Sequence, residues 1–101
     1  NFVRAPVVGG SAKLPFGMLP VPSLQDGEVT VLLRTNALRT DRDGAVRGMV
    51  LARRFVGDVI VSRVLVGELE LDVTVDAEPA PSVGDAIRLS FDPSNVLIID
   101  A

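Results

Sequence analysis

Few residues in this 101-residue chain can do chemistry, and those few set the range of functions open to it. Histidine, cysteine, tyrosine and tryptophan are all absent. The side chain most used for proton transfer near neutral pH is therefore missing, and disulfides and thiolate metal sites are excluded. Carboxylates, arginines and one glycine-rich stretch remain. Glu68, Glu70 and Asp72 recur at every second position, which on a strand projects them from one side, roughly 7 Å apart per step of two residues. Such a row can gather a hard cation if other oxygens join it, but no EF-hand spacing accompanies it, and a solvated outer face produces the same pattern. Paired carboxylates also serve glycosidases. A sugar site needs a shaped pocket, however, and four phenylalanines are the only aromatics. Gly9-Gly10-Ser11-Ala12-Lys13 lacks the G-x-x-x-x-G-K-[ST] spacing of a phosphate-binding loop, and no helix follows to aim its N-terminus at an anion, so it reads as a loop. The expectation is a non-catalytic chain with no catalytic residue, no cofactor and no metal.

The elements that must position these residues are strands. Leu69, Leu71, Val73 and Val75 alternate with Glu70, Asp72 and Thr74, the period of a half-buried strand. Gly67-Glu68 offers the glycine that a two-residue type II′ hairpin turn requires, which pairs this strand with the one ending at Val66. Gly57-Asp58 repeats that punctuation between Val56 and Val59. Met49, Ala52, Val56, Val59 and Ile60 also keep approximate helical spacing, but the valine richness and Gly57 favour strand over Val46 to Val56. Asp26-Gly27, Asp43-Gly44, Val83-Gly84-Asp85 and Asp92-Pro93 mark the remaining reversals.

Pro6, Pro15, Pro20 and Pro22 forbid a central strand across their positions, leaving edge pieces around Phe2 to Arg4 and Gly17 to Leu19. Asn36 to Arg39 and Pro93 to Asn95 are the segments able to make a helical turn. The result is an all-β chain, a small OB-like barrel or sandwich of about seven short strands.

The net charge is −3, with the two signs unevenly placed. Seven arginines stand between Arg34 and Arg63 against Asp41, Asp43 and Asp58, whereas eight carboxylates lie from Glu68 to Asp100 against Arg88 alone. Cross-strand ion pairs within the domain can satisfy both segments. Alternatively, one face pairs with an oppositely charged face of another copy or another domain. The arginine-rich segment also keeps single-stranded nucleic acid as an alternative partner, although Phe2, Phe16, Phe55 and Phe91 read as core residues rather than as stacking platforms.

Hydrophobic residues make up 48% of the chain and charged ones 23%, enough apolar surface to fold and enough length for one domain over 1–101. Apolar runs such as Val96 to Ile99 fall far short of the roughly 18 to 20 residues of a membrane-spanning helix. The lack of cysteine is compatible with a reducing compartment. Asn1 stands where an initiator methionine would be, which suggests a fragment or a processed chain.

From Val46 onward the sequence resembles the TOBE (transport-associated OB-like) domain appended to ATP-binding subunits of bacterial ABC importers. The resemblance rests on Gly48 opening a strand, on "RRFVGDVIVSRVLVGELELDV", and on "PSVGDAIRLSFDPSNVLIID" with Ile87, Leu89 and Phe91 alternating before Asp92-Pro93. Upstream, "LPFGMLPVP" and "DGEVTVLLR" resemble the iron(III)-type branch. Members of that branch commonly continue with Arg-Pro-Glu, where this chain has Arg34-Thr35-Asn36, so the arginine is kept and the carboxylate is lost. The phosphate-binding loop and other ATPase motifs are absent.

The resemblance implies a cytoplasmic regulatory and dimerisation domain of an importer's ATP-binding protein, peripheral to the inner membrane through the transporter complex. Its implied partners are an ATPase domain of the same polypeptide, a second copy, and the importer's membrane subunits, with no nucleic acid and no direct membrane insertion. Arg34, Asn36, Arg53 and Arg54 are the expected contact surface. A small-solute or oxyanion sensor and an OB-type nucleic-acid binder stand as the alternatives.

Overall fold

Alternation of valine and leucine with polar residues sends this chain into ten strands, seen in a computed structural model that describes residues 1–34, 36–75 and 81–100, with Asp100 described by its backbone alone. Thr35, Asp76 and Glu78 of the motif and charge readings lie outside the described residues. The strands are β1 (Phe2–Val8), β2 (Ser11–Leu14), β3 (Gly17–Pro20), β4 (Gly27–Leu33), β5 (Leu38–Thr40), β6 (Val46–Val56), β7 (Val59–Val66), β8 (Leu69–Val75), β9 (Ala86–Phe91) and β10 (Val96–Asp100). They form two five-stranded antiparallel sheets, ordered β10-β4-β1-β2-β3 and β5-β9-β6-β7-β8. The end strands of the second sheet, β5 and β8, touch each other, which curls that sheet into an OB-like barrel.

The all-β expectation holds, and both Gly-acid steps are reversals: Val56 pairs with Val59, and Val66 with Leu69. Gly67 has φ +61°, and among the described residues only glycines have positive φ. Glu68 is therefore not left-handed, so the turn is the II′ form rather than I′. In β8, Leu71, Val73 and Val75 are buried while Glu70 faces water, and Leu89 in β9 is fully buried.

Several expectations need correction. The turn signals predict about seven strands, with proline confining the N-terminal segment to edge pieces, whereas the structure has ten. In fact β1 runs through Pro6 and lies inside its sheet between β4 and β2. It can do so because β2 pairs with β1 only at Val7 and Val8, leaving Pro6 with β4 as its one neighbour, a locally open edge where proline is tolerated. The glycine-rich stretch is not simply a loop: Gly9 and Gly10 turn the chain, and Ser11 begins β2.

At Asn36 to Arg39 there is no helical turn. The Ala37 N–H donates to the Arg34 carbonyl at 2.9 Å, closing a single turn, and burial of Ala37 and Leu38 draws the chain at once into β5. Pro93–Asn95 does form a 3-10 turn, capped by Asp92. Gly48 stands third in β6 rather than opening it.

The core is one cluster shared by both sheets. Val3, Val7, Val29 and Val31 of the first sheet pack with Val64, Leu71, Val73 and Leu89 of the second. Phe16, in the β2–β3 turn, meets Phe91 at the end of β9 edge to face, with centroids 4.8 Å apart. Phe2 and Phe55, expected in the core, are instead 71% and 75% exposed. Phe2 sits on the outer side of β1, paired with Leu32, and Phe55 lies near the tip of the β6–β7 hairpin, where residues 52–59 all face solvent.

Candidate functional site

The four arginine and asparagine positions expected to form a contact surface fall on two separate structures. Arg34 and Asn36 flank the turn between β4 and β5, bound to the 3-10 turn that precedes β10. The Arg34 N–H donates to the Asn95 carbonyl at 3.0 Å, and Asn95 Nδ2 donates to the Asn36 carbonyl at 3.5 Å. Asp92 organises this corner. Its N–H donates to the Ala37 carbonyl at 2.8 Å, and its carboxylate accepts from the Ser94 N–H at 3.0 Å, the Ser94 hydroxyl at 2.6 Å and Asn95 Nδ2 at 3.2 Å. The Ser94 hydroxyl, then the Ser94 N–H, hold the Asp92 carboxyl below its ordinary value of 3.8. Desolvation opposes them, and the charge of Arg39 adds to the lowering. Arg34 and Asn36 are thus exposed side chains on a turn fixed through its backbone.

Arg53 and Arg54 lie on the hairpin and, being adjacent in a strand, point to opposite faces. Arg53 pairs with Ser62 and sends Nη1 to the Pro81 carbonyl at 3.2 Å. Arg54 turns to the other face, where its Nη2 lies 3.7 Å from Asp72, and Arg63 reaches the same carboxylate at 3.2 Å. Asp72 therefore answers two arginines of the basic segment by cross-strand pairing, as charge alternation allows. Such exposed pairs contribute about 0.2–1 kcal/mol each. Arg34 and Asn36 thus lie beside the β4–β5 turn and Arg53 and Arg54 on the β6–β7 hairpin, each pair with its own contacts.

One contact escaped sequence reading altogether. The side chain of Asn1 grips the backbone of Asp72 at both ends, Nδ2 donating to its carbonyl at 2.8 Å and Oδ1 accepting from its N–H at 3.0 Å. An asparagine amide here takes the place of a further strand along β8, and no local pattern signals it. Glu68, Glu70 and Asp72 do not converge: among the described residues no three carboxylates gather into a set able to hold a metal. The described residues also include no helix long and apolar enough to cross a membrane.

Residues 31–99, from the middle of β4 to β10, match the sequence model of the TOBE domain. The chain belongs to the TOBE domain family. A relative from Streptomyces coelicolor, the Fe(3+) ions import ATP-binding protein FbpC, is 34% identical over 102 aligned residues. The alignment takes in 98% of this chain but only 29% of the relative, so the TOBE domain described here spans less than a third of that protein's length. The first sheet's β1, β2 and β3 precede the matched segment, yet their side chains complete the TOBE core.

Proposed function

We propose that this chain is a single, non-catalytic domain that regulates and stabilises the dimer of an ABC importer's ATP-binding subunit, one whose cargo is iron(III). The observation that carries this reading is the near end-to-end similarity to a part of an ATP-binding import protein, in a chain without the residues of an ATPase site. On this reading the nucleotide chemistry belongs to an ATPase domain of the same polypeptide, and the complex, on the cytoplasmic side of the membrane, holds this domain near the importer's membrane subunits. The domain acts by differential contact. A surface that touches its partner in one state of the ATPase cycle and not in the other shifts the balance between the two, by as much as those contacts differ. Arg34 and Asn36 at one corner and Arg53 and Arg54 on the hairpin are two such surfaces, supported by their exposure on backbone-fixed elements.

The test is to compare an ATP-binding subunit carrying this domain with the same subunit lacking residues 1–101. Removal should leave single-subunit nucleotide binding intact while weakening ATP-dependent association. Unchanged association and transport after removal, or ATP turnover by the 101-residue chain alone, would refute the proposal.

A second reading, single-stranded nucleic-acid binding, is favoured by one observation: Phe55 stands exposed beside Arg53 and Arg54 on an OB-like barrel. It requires an affinity that falls steeply with salt, and an oligonucleotide that fails to bind at low ionic strength dismisses it.

A further inference from the structure

The outward face of the second sheet carries charges that no ion pair among the described residues answers. Leu89, Val46, Val50 and Val64 point inward, so their neighbours Arg88, Arg47, Met49 and Leu65 point outward. Register places Ala86, Met49, Leu65 and Glu70 in one row across β9, β6, β7 and β8. Two residues along, Arg88 stands directly opposite Arg47 on the β9–β6 side, while Glu68, two residues before Glu70, occupies the β8 side. Like charges directly opposite on neighbouring strands destabilise a sheet. On the same side of this sheet both Arg54 and Arg63 are matched by Asp72, and on the other sheet Arg4 is matched by Glu28. Among the described residues Arg47, Arg88, Glu68 and Glu70 make no such ion pair, although all four are exposed.

The face is thus positive at one flank, apolar in the middle, where Met49 is 47% exposed, and negative at the other flank. We infer that this face is where a second copy of the chain docks, about a two-fold axis running along the strands between β6 and β7. That operation lays Met49 of one copy on Leu65 of the other and sets Arg47 and Arg88 against Glu68 and Glu70. It does so twice, because every contact in a two-fold interface occurs in both directions. The outer surface of a barrel is convex, so two such faces meet closely at the centre and diverge at the flanks. Apolar Met49 and Leu65 stand at the centre, and arginines and glutamates stand where a gap must be bridged. The inference rests on the self-association reading above and assigns it a surface.

The test uses the 101-residue chain at low ionic strength, with sedimentation over a wide concentration range and circular dichroism to confirm folding. One variant carries R47E and R88E, the other E68R and E70R. Each alone sets like charges against like and should weaken dimerisation by about 100-fold or more. An equimolar mixture should restore it, since the heterodimer regains opposite charges on both sides. A parent that dimerises while the variants associate as well as it does, or a mixture that fails to recover, overturns this surface and leaves self-association standing. A parent that stays monomeric at every concentration overturns both.

Discussion

Phe16 is the test of how the two sheets are joined. Its ring is 7% exposed and meets Phe91 edge to face at 4.8 Å, so it ties the β2–β3 turn of the first sheet to the last residue of β9 in the second. Truncating a buried phenylalanine to alanine costs about 3–5 kcal/mol. Phe91 is only half-buried, so Phe91→Ala should cost about 2 kcal/mol by the area it removes from contact. A domain of this size is stable by about 5–15 kcal/mol in all, so Phe16→Ala removes a large share. With a urea dependence of about 1.5 kcal/mol per molar, a loss of about 4 kcal/mol lowers the unfolding midpoint by about 2.7 M. The double variant should lose less than the sum of the singles by about 0.5–1.5 kcal/mol, the share of the ring pair itself. Because the core cluster draws on both sheets, unfolding followed by circular dichroism should remain one transition in all four proteins. A midpoint shift under about 0.5 M for Phe16→Ala, strict additivity, or two resolved transitions would refute the claim that these rings join two sheets into one cooperative unit.

Three further outcomes are expected. Ser62 is fully buried in β7 with its hydroxyl unpartnered among the described residues, so Ser62→Ala should be neutral or stabilising by about 1 kcal/mol in urea denaturation, and a loss of that size would mean that the hydroxyl is bonded in solution. A Cβ on Gly44 would overlap the Leu89 carbonyl of β9, so Gly44→Ala should destabilise by about 1–3 kcal/mol, while an unchanged melting temperature would contradict the close approach seen there. The Asp92 carboxyl titrates below 3.8 when folded, so its contribution to stability is complete above that value and is lost as pH falls through the lower folded value. Asp92→Asn should flatten this part of the acid limb, and an NMR titration placing the Asp92 midpoint at or above 3.8 would contradict the hydrogen bonds from Ser94.

The elements from β6 to β9 were legible in the sequence because two signals agree there: period-two alternation, and glycine-acid steps at the reversals. Where a rule had to be applied without its neighbourhood it failed. Proline bars a strand only where both sides are paired, and at Pro6 one side is not, which depends on how far β2 extends. Phenylalanine predicts burial on average, yet Phe55 lies on a hairpin that outruns the barrel, and its exposure is set by tertiary closure rather than by local pattern. The expected contact residues were found exposed, but their grouping was not readable. Arg34 and Asn36 are fixed by a turn near the other end of the chain, and Arg53 and Arg54 are separated by the alternation of a single strand. The Asn1 clamp on Asp72 joins positions 71 residues apart, and nothing short of the fold brings them together.

The order of the strands carries a consequence for how the chain is made. The second sheet is drawn wholly from residues 38–91, a continuous stretch nested inside the first sheet, whose β4 must wait for β10 at residues 96–100 to pair on its outer side. As the polypeptide leaves the ribosome, the inner unit has all its strands in hand while the outer one still presents a bare flank. Until residues 96–100 have emerged, the flank of β4 that carries Leu32 and Leu33 therefore stays open to chaperones or to neighbouring nascent chains.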